Sequence, residues 1–267
     1  MLATLLDRAE GEALPLPSGL VDRYGGDLRF PLDRTHVFAN FVSTIDGVVS
    51  FALPGKAQAA LISGGHPADR FILALLRAVA DAVIVGAGTL RQEPGTIWTP
   101  EHAFPDAAKE FAALRAAMKK PARPLTVLVT ASGEIDLREP ALTAGDPVLV
   151  LTSEAGARRL AGAPGHVRVR VLAKGTAREM VELATAESGG RLILTEGGPT
   201  LLGQFLRDGA LNGLFLTIAP RIAGRSHQER RLALVEGAAF APEAAPEARL
   251  LGVKAADDYL FLRFGRR

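Results

Sequence analysis

Short apolar runs alternate along this chain with longer segments whose apolar residues recur every three or four positions. Residues 37–42, Val-Phe-Ala-Asn-Phe-Val, predict a strand. Residues 67–79 predict a helix, with Asp69 in its first turn and Phe71, Leu75, Leu76 and Val79 on one face. A buried strand is expected at 82–85 and an amphipathic helix at 107–118, stopped before Pro121. Further strands are expected at 125–130, 147–151 and 167–172, with helices near 154–160 and 177–187. A strand at 192–195 then meets a glycine pair and a helix over 200–207. The strand 214–218 and a hairpin over 249–264, turning at Ala256-Asp257-Asp258, complete the pattern.

Strands interleaved with helices of this length imply an α/β fold: a mostly parallel central sheet with helices on both faces. The paired strands at the C-terminal end imply an antiparallel edge. Residues 1–35, with Pro15, Pro17, Gly25-Gly26 and Pro31, read as a turn-rich N-terminal arm over the domain. Residues 36–267 read as a single domain, since no repeat or long linker interrupts them.

Composition narrows the function. Of 267 residues, 48% are hydrophobic and 22% charged, as in an ordinary well-cored protein. The net charge of +2 comes with scattered arginines, which argues against a nucleic-acid surface. Zero cysteines exclude disulfides, thiolate metal sites and cysteine nucleophiles. No apolar run approaches the roughly 20 residues that span a bilayer, and Met1 to Leu14 lacks a signal-peptide pattern. A small-molecule substrate in the cytoplasm is the expectation. His36, His66, His102, His166 and His227 are isolated from one another, so no metal site is expected.

The most informative run is Leu192-Ile193-Leu194-Thr195-Glu196-Gly197-Gly198-Pro199-Thr200-Leu201-Leu202. Gly197 and Gly198 let backbone lie close to a ligand, and Pro199 suits a first helical turn. The free N–H groups and dipole of that helix favour an anion, with the Glu196 carboxylate beside it. A second strand–glycine junction is Val83-Ile84-Val85-Gly86-Ala87-Gly88-Thr89-Leu90-Arg91, where Arg91 occupies the third glycine position of a dinucleotide fingerprint. Asp46, in Ser43-Thr44-Ile45-Asp46-Gly47, is either a surface turn residue or part of the same rim of strand ends. Arg77 either complements the end of its helix or aims a guanidinium at a phosphate. No nucleophile elbow and no NTP-binding phosphate loop occurs.

In this order the motifs resemble the reductase domain of bacterial riboflavin biosynthesis (RibD C-terminal type), a relative of dihydrofolate reductase. The segments that carry the resemblance are Ser43 to Gly47, Ile62-Ser63, Leu76 to Thr89, Glu196 to Leu202, and Leu214 to Pro220. It implies a dihydrofolate-reductase-like fold, NADPH as hydride donor, a homodimer, and reduction of a ribosylamino-pyrimidine 5′-phosphate to the ribitylamino product. By matched position, Gly86, Gly88, Thr89 and the turn Gly197, Gly198, Pro199, Thr200 and Leu201 would hold NADPH phosphates. Val42 and Leu61 would border the nicotinamide, Thr130, Ala131 and Ser132 would meet the adenosine, and Glu93 would also lie at the cofactor. Asp46 and Glu196 would be catalytic, with Arg77, Ser63 and Glu196 facing the substrate. The segment Arg91 to Trp98 departs from the family pattern of an acidic pair and proline and then a basic residue: only Glu93 matches, and no basic residue follows soon after. The zinc deaminase domain often fused upstream has no counterpart, so a stand-alone reductase is expected. Two other readings stay open: an NADPH-dependent reductase of another heterocycle such as a dihydropterin or dihydrofolate, and a non-catalytic NADP(H)-binding protein.

Overall fold

The computed structural model describes residues 1–226 and 228–267; His227 lies outside the described residues. The chain opens with β1 (Ala3–Asp7), β2 (Glu12–Ala13), α1 (Ser18–Tyr24) and β3 (Arg29–Phe30). There follow β4 (His36–Thr44), β5 (Val48–Ser50), α2 (Gln58–Ser63) and α3 (Pro67–Val79). The next stretch holds β6 (Ala82–Gly86), α4 (Ala87–Gln92), α5 (Pro100–Ala103), α6 (Ala108–Ala117) and β7 (Leu125–Thr130). Beyond it lie α7 (Pro140–Thr143), β8 (Val148–Thr152), α8 (Glu154–Arg159), β9 (Val167–Val171) and α9 (Ala177–Ser188). The last elements are β10 (Leu192–Thr195), α10 (Gly198–Arg207), β11 (Gly213–Ala219), β12 (Leu232–Ala233), β13 (Ala248–Ala256) and β14 (Tyr259–Arg266).

Ten strands form one sheet in the order β1-β13-β14-β11-β4-β10-β6-β7-β8-β9. From β11 to β9 each neighbouring pair is parallel. β14, β13 and β1 continue the other edge in antiparallel fashion. This is the largely parallel sheet with an antiparallel C-terminal edge that the patterning predicts. Interior parallel strands are covered on both faces, which is why 82–85 and 192–194 read as unbroken apolar runs. On one face Phe38, Val83, Val85 and Leu194 pack with Phe71, Leu75, Leu76 and Val79 of α3. On the other, Val37, Ala39, Ile84 and Ile193 pack with Met180 and Ala184 of α9 and Leu202 and Phe205 of α10.

Residues 1–35 correct the expectation of an arm. β1 is the outermost strand of the main sheet, with Ala3 opposite Ala255 of β13. Leu2, Leu14, Leu20, Tyr24, Leu28 and Phe30 are buried in the same core as Phe38. Apolar pieces this short, separated by turns, show no periodicity of their own; the strand partner of β1 lies more than two hundred residues away in β13, and Phe30 packs on Phe38 and Phe215. β4 also runs two residues further than expected, because β11 pairs with it as far as Ala219 opposite Thr44. The Gly86 to Arg91 junction, expected as a turn, opens directly into α4.

Candidate active site

The carboxyl ends of β4, β10, β6 and β7 lie side by side, and a cavity of about 560 Å³ opens along them. Ligands of open parallel sheets bind outside these ends, where neighbouring loops diverge. β10 lies between β4 and β6, so loops from distant parts of the chain meet at one rim.

The backbone wall of the cavity comes from two glycine turns on adjacent strands. Gly197 is the N-cap of α10, no side chain caps that helix, and Pro199 stands in its first turn. The helix therefore presents first-turn N–H groups and the positive end of its dipole to the cavity. Gly198 has φ +38°, a value L side chains rarely adopt. A Cβ on Gly197 would strike the Leu201 side chain and lie 3.0 Å from the Gly86 nitrogen, so the two turns pack backbone to backbone. A Cβ on Gly86 or Gly88 would meet no protein atom within 4 Å; both face the open cavity. Such a cradle fits the phosphates of a dinucleotide. Thr89 lies at the junction, with its hydroxyl oxygen 3.4 Å from a Cβ position on Gly198. Thr130, Ala131 and Ser132 continue the wall from β7. There the Thr130 hydroxyl oxygen accepts from the Gly133 N–H at 3.1 Å, and Ser153 donates to the Ala131 carbonyl at 2.7 Å.

Opposite this wall, Glu196 and Arg77 form a bidentate ion pair. Arg77 Nε donates to Oε1 at 2.9 Å and Nη2 to Oε2 at 2.7 Å. The side chains are 4% and 9% exposed, so the pair is desolvated and its fork geometry ties α3 to the end of β10. Arg77 Nη1 turns to the Thr99 carbonyl at 3.4 Å. The guanidinium is thus committed to the Glu196 pair, a partner that neither reading from sequence named, and Arg77 also stands in the last turn of α3.

Glu93 closes α4 and lines the same cavity. Burial, and then the negative charge of Glu196, push its carboxyl above the ordinary carboxylate range, with Arg77 pulling the other way. The segment that departs from the family pattern ends in Trp98, which is fully buried and forms part of the cavity wall.

Not every expected site residue reaches the cavity. Asp46 is held outside it: Thr44 donates to its Oδ1 at 2.6 Å, and the Ala223 and Gly224 N–H groups donate at 3.0 and 2.8 Å. These bonds, the Thr44 hydroxyl foremost, hold its carboxyl down at about 2. Asp46 is a tie between the β4 turn and the segment after β11 and does not line the cavity. Leu61 lies on α2 away from the wall, its carbonyl accepting from Arg221. Ser63 is buried behind the wall with its hydroxyl toward Asp69. Val42 does line the cavity.

Residues 35–257 match the family model described as the RibD C-terminal domain. The chain belongs to that family. Over 189 residues it is 31% identical to the riboflavin biosynthesis protein RibD of Mycobacterium tuberculosis, an alignment covering 71% of this chain and 43% of the relative. The chain therefore spans less than half the length of that relative. The fold is shared with a pyrimidine reductase-like protein from Corynebacterium diphtheriae, at TM-score 0.68, 23% identity, 87% of this chain and 92% of that one. It is shared too with a bifunctional deaminase/reductase from Thermotoga maritima, at TM-score 0.63, 20% identity, 88% of this chain and 57% of that one.

Within this RibD C-terminal domain Asn40 and Asp69 are among the cavity residues that escape the sequence motifs. Asn40 is the one polar residue inside the apolar run of β4, and Asp69 reads from sequence only as a first-turn acid of α3. Both line the cavity. Among the described residues no group of three or more potential metal-ligating side chains gathers, and no helix is long and apolar enough to cross a membrane.

Proposed function

We propose that this domain is an NADPH-dependent reductase of a ribosylamino-pyrimidine 5′-phosphate, yielding the ribitylamino product. The observation that carries the reading is the backbone cradle of Gly86, Gly88, Gly197 and Gly198 at the uncapped start of α10, facing Glu93 and the Arg77–Glu196 pair across one cavity. NADPH, when bound, supplies a hydride. The Gly197 to Leu201 turn and Thr89 would hold its phosphates, Thr130 to Ser132 would meet its adenosine, and Val42 would border its nicotinamide. Glu93, its carboxyl raised by burial, would be the group that donates a proton to the substrate nitrogen when the opened sugar imine is reduced. The Glu196–Arg77 pair fixes the end of β10 and so the turn that follows. A homodimer and a cytoplasmic setting accompany this reading. The decisive measurement is NADPH oxidation at its absorbance band with the ribosylamino-pyrimidine phosphate. No turnover despite NADPH binding would overturn the substrate assignment.

One observation favours a second reading, in which the substrate is a heterocycle without a phosphate, such as a dihydropterin. Among the described residues, the cations on the cavity wall are Arg77, committed to Glu196, and Arg91 at the rim. Dihydrofolate assayed in parallel separates the two readings.

Arg91 reaches the Glu134 carbonyl at 3.3 Å, on the adenosine side next to Ser132. There it is placed to meet a 2′-phosphate, the group that distinguishes NADPH from NADH. Arg91→Ala should raise KM for NADPH about tenfold and leave KM for NADH nearly unchanged. An equal effect on both would remove Arg91 from cofactor selection.

Glu93 gives a pH test. A carboxyl raised by folding holds a proton that the unfolded chain has released, so stability falls as pH rises above the ordinary carboxylate value. Glu93→Gln should match the parent in denaturant unfolding at about pH 4 and exceed it at neutral pH. Its turnover should fall on the order of 100-fold and lose the alkaline limb that Glu93 sets. A parent limb retained in the variant assigns the proton to another group.

A further inference from the structure

Resting on the reading that the substrate carries a nitrogen heterocycle, we propose that Asp69 and Asn40 form the subsite that reads the N–H edge of that ring. α3 presents Asp69, Leu73 and Arg77 to the cavity at intervals of four, so one helical stripe lines its floor. Arg77 ends the stripe in the Glu196 pair, and Leu73 gives an apolar surface between. Asp69 begins it, buried and at the cavity wall.

The surroundings of Asp69 supply few donors. The hydroxyls of Ser63 and Thr217 turn toward its carboxyl, and His66 lies near enough to be felt. Burial outweighs all three and moves the carboxyl upward from its ordinary value. In either protonation state an oxygen is left to accept from a ligand. Asn40 adds a second acceptor. It stands on β4 opposite Phe215 of β11, and Thr217 projects from the same face of β11 two residues on. Asn40 Oδ1 is buried and has no hydrogen-bond partner among the described residues. A buried unpaired acceptor costs free energy until a donor arrives. Two acceptors lining one cavity, with Leu73 and Trp98 for apolar contact, suit a flat ring that presents N–H groups on its edge. They do not suit a phosphate, which brings oxygen acceptors. The opposite glycine wall suits an anion, so the cavity is divided by hydrogen-bond polarity.

Binding of free pyrimidines tests this without turnover. Isothermal titration of the full chain would compare 5,6-diaminouracil with its 1,3-dimethyl analogue, which lacks the ring N–H groups. The wild type should prefer the parent compound by about tenfold or more, the range expected when buried polar groups lose their partners. Asp69→Leu and Asn40→Leu should each cut the preference to about threefold or less while leaving NADPH affinity unchanged. Should Asp69→Leu fail to fold, the near-isosteric Asp69→Asn, which replaces one acceptor oxygen by a donor, should lower the preference at least about twofold. A wild-type preference under about threefold, or one unchanged in the folded variants, overturns the proposal. NADPH oxidation is scored separately: loss of turnover with ring discrimination intact overturns the reductase reading and leaves this subsite standing.

Discussion

Replacing Arg77 by Met is expected to cost about 3–5 kcal/mol of stability at neutral pH, because it leaves the Glu196 carboxylate buried without its cation. In a chain of this size that is a fall in Tm on the order of 10 °C. The flexible Met side chain replaces the buried stem of Arg77, so lost volume explains little of the deficit. Calorimetric melts across pH identify the cause. A buried carboxylate without its cation is penalised only while it is charged. The deficit should therefore shrink on acidification and widen as pH rises. Arg77→Met combined with Glu196→Gln should recover part of the loss, since both charges are then gone. A deficit that is constant with pH and additive in the double variant would show that packing, and not the ion pair, holds this end of β10. NADPH turnover should fall with stability in the single variant, since the pair positions the turn that carries the glycines.

Gly197→Val is the second large effect. Any Cβ here meets the Leu201 side chain and comes within 3.0 Å of the Gly86 nitrogen, and a β-branched residue adds a second methyl to that contact. Leu201 can turn aside, but the Gly86 backbone cannot without moving α4. NADPH affinity is expected to fall on the order of 100-fold, or about 2.7 kcal/mol, read by fluorescence titration. Gly88→Ala separates cofactor contact from folding. Its Cβ would meet no protein atom within 4 Å, and alanine is the better helix former inside α4. Its Tm should hold or rise while NADPH binding weakens, because the new methyl enters the cavity. Unchanged NADPH affinity in both folded variants would make the two turns structural only.

The motifs that could be read were those in which neighbours in sequence are also neighbours in space. Gly197, Gly198 and Pro199 shape one turn whose conformation is local, and the structure places them as the start of α10. Gly86 and Gly88 follow the end of β6 for the same reason. Asp46 shows the limit of such reading. Its position after a strand is compatible with a rim residue, yet Ala223 and Gly224, far away in sequence, occupy its oxygens and turn it from the cavity. Arg77 shows the complement: its spacing in α3 admitted two roles, and the role it has depends on Glu196, 119 residues later. Asn40 carried a signal, a lone amide inside an apolar strand, but its meaning required β11 and the cavity.

The sequence by itself determined the alternation of strands and helices, the mostly parallel sheet with its antiparallel end, and the two glycine turns. These follow from apolar periodicity and from backbone conformations that glycine and proline set within a few residues. Only the tertiary structure decided that residues 1–35 complete the core and the sheet edge, that Arg77 belongs to Glu196, and that Asp69 and Asn40 share a cavity with both glycine turns. Each of these depends on strand order, in which β10 inserts between β4 and β6 and β13 pairs with β1. Strand order is a free-energy choice among whole-chain packings, and no window of residues contains it.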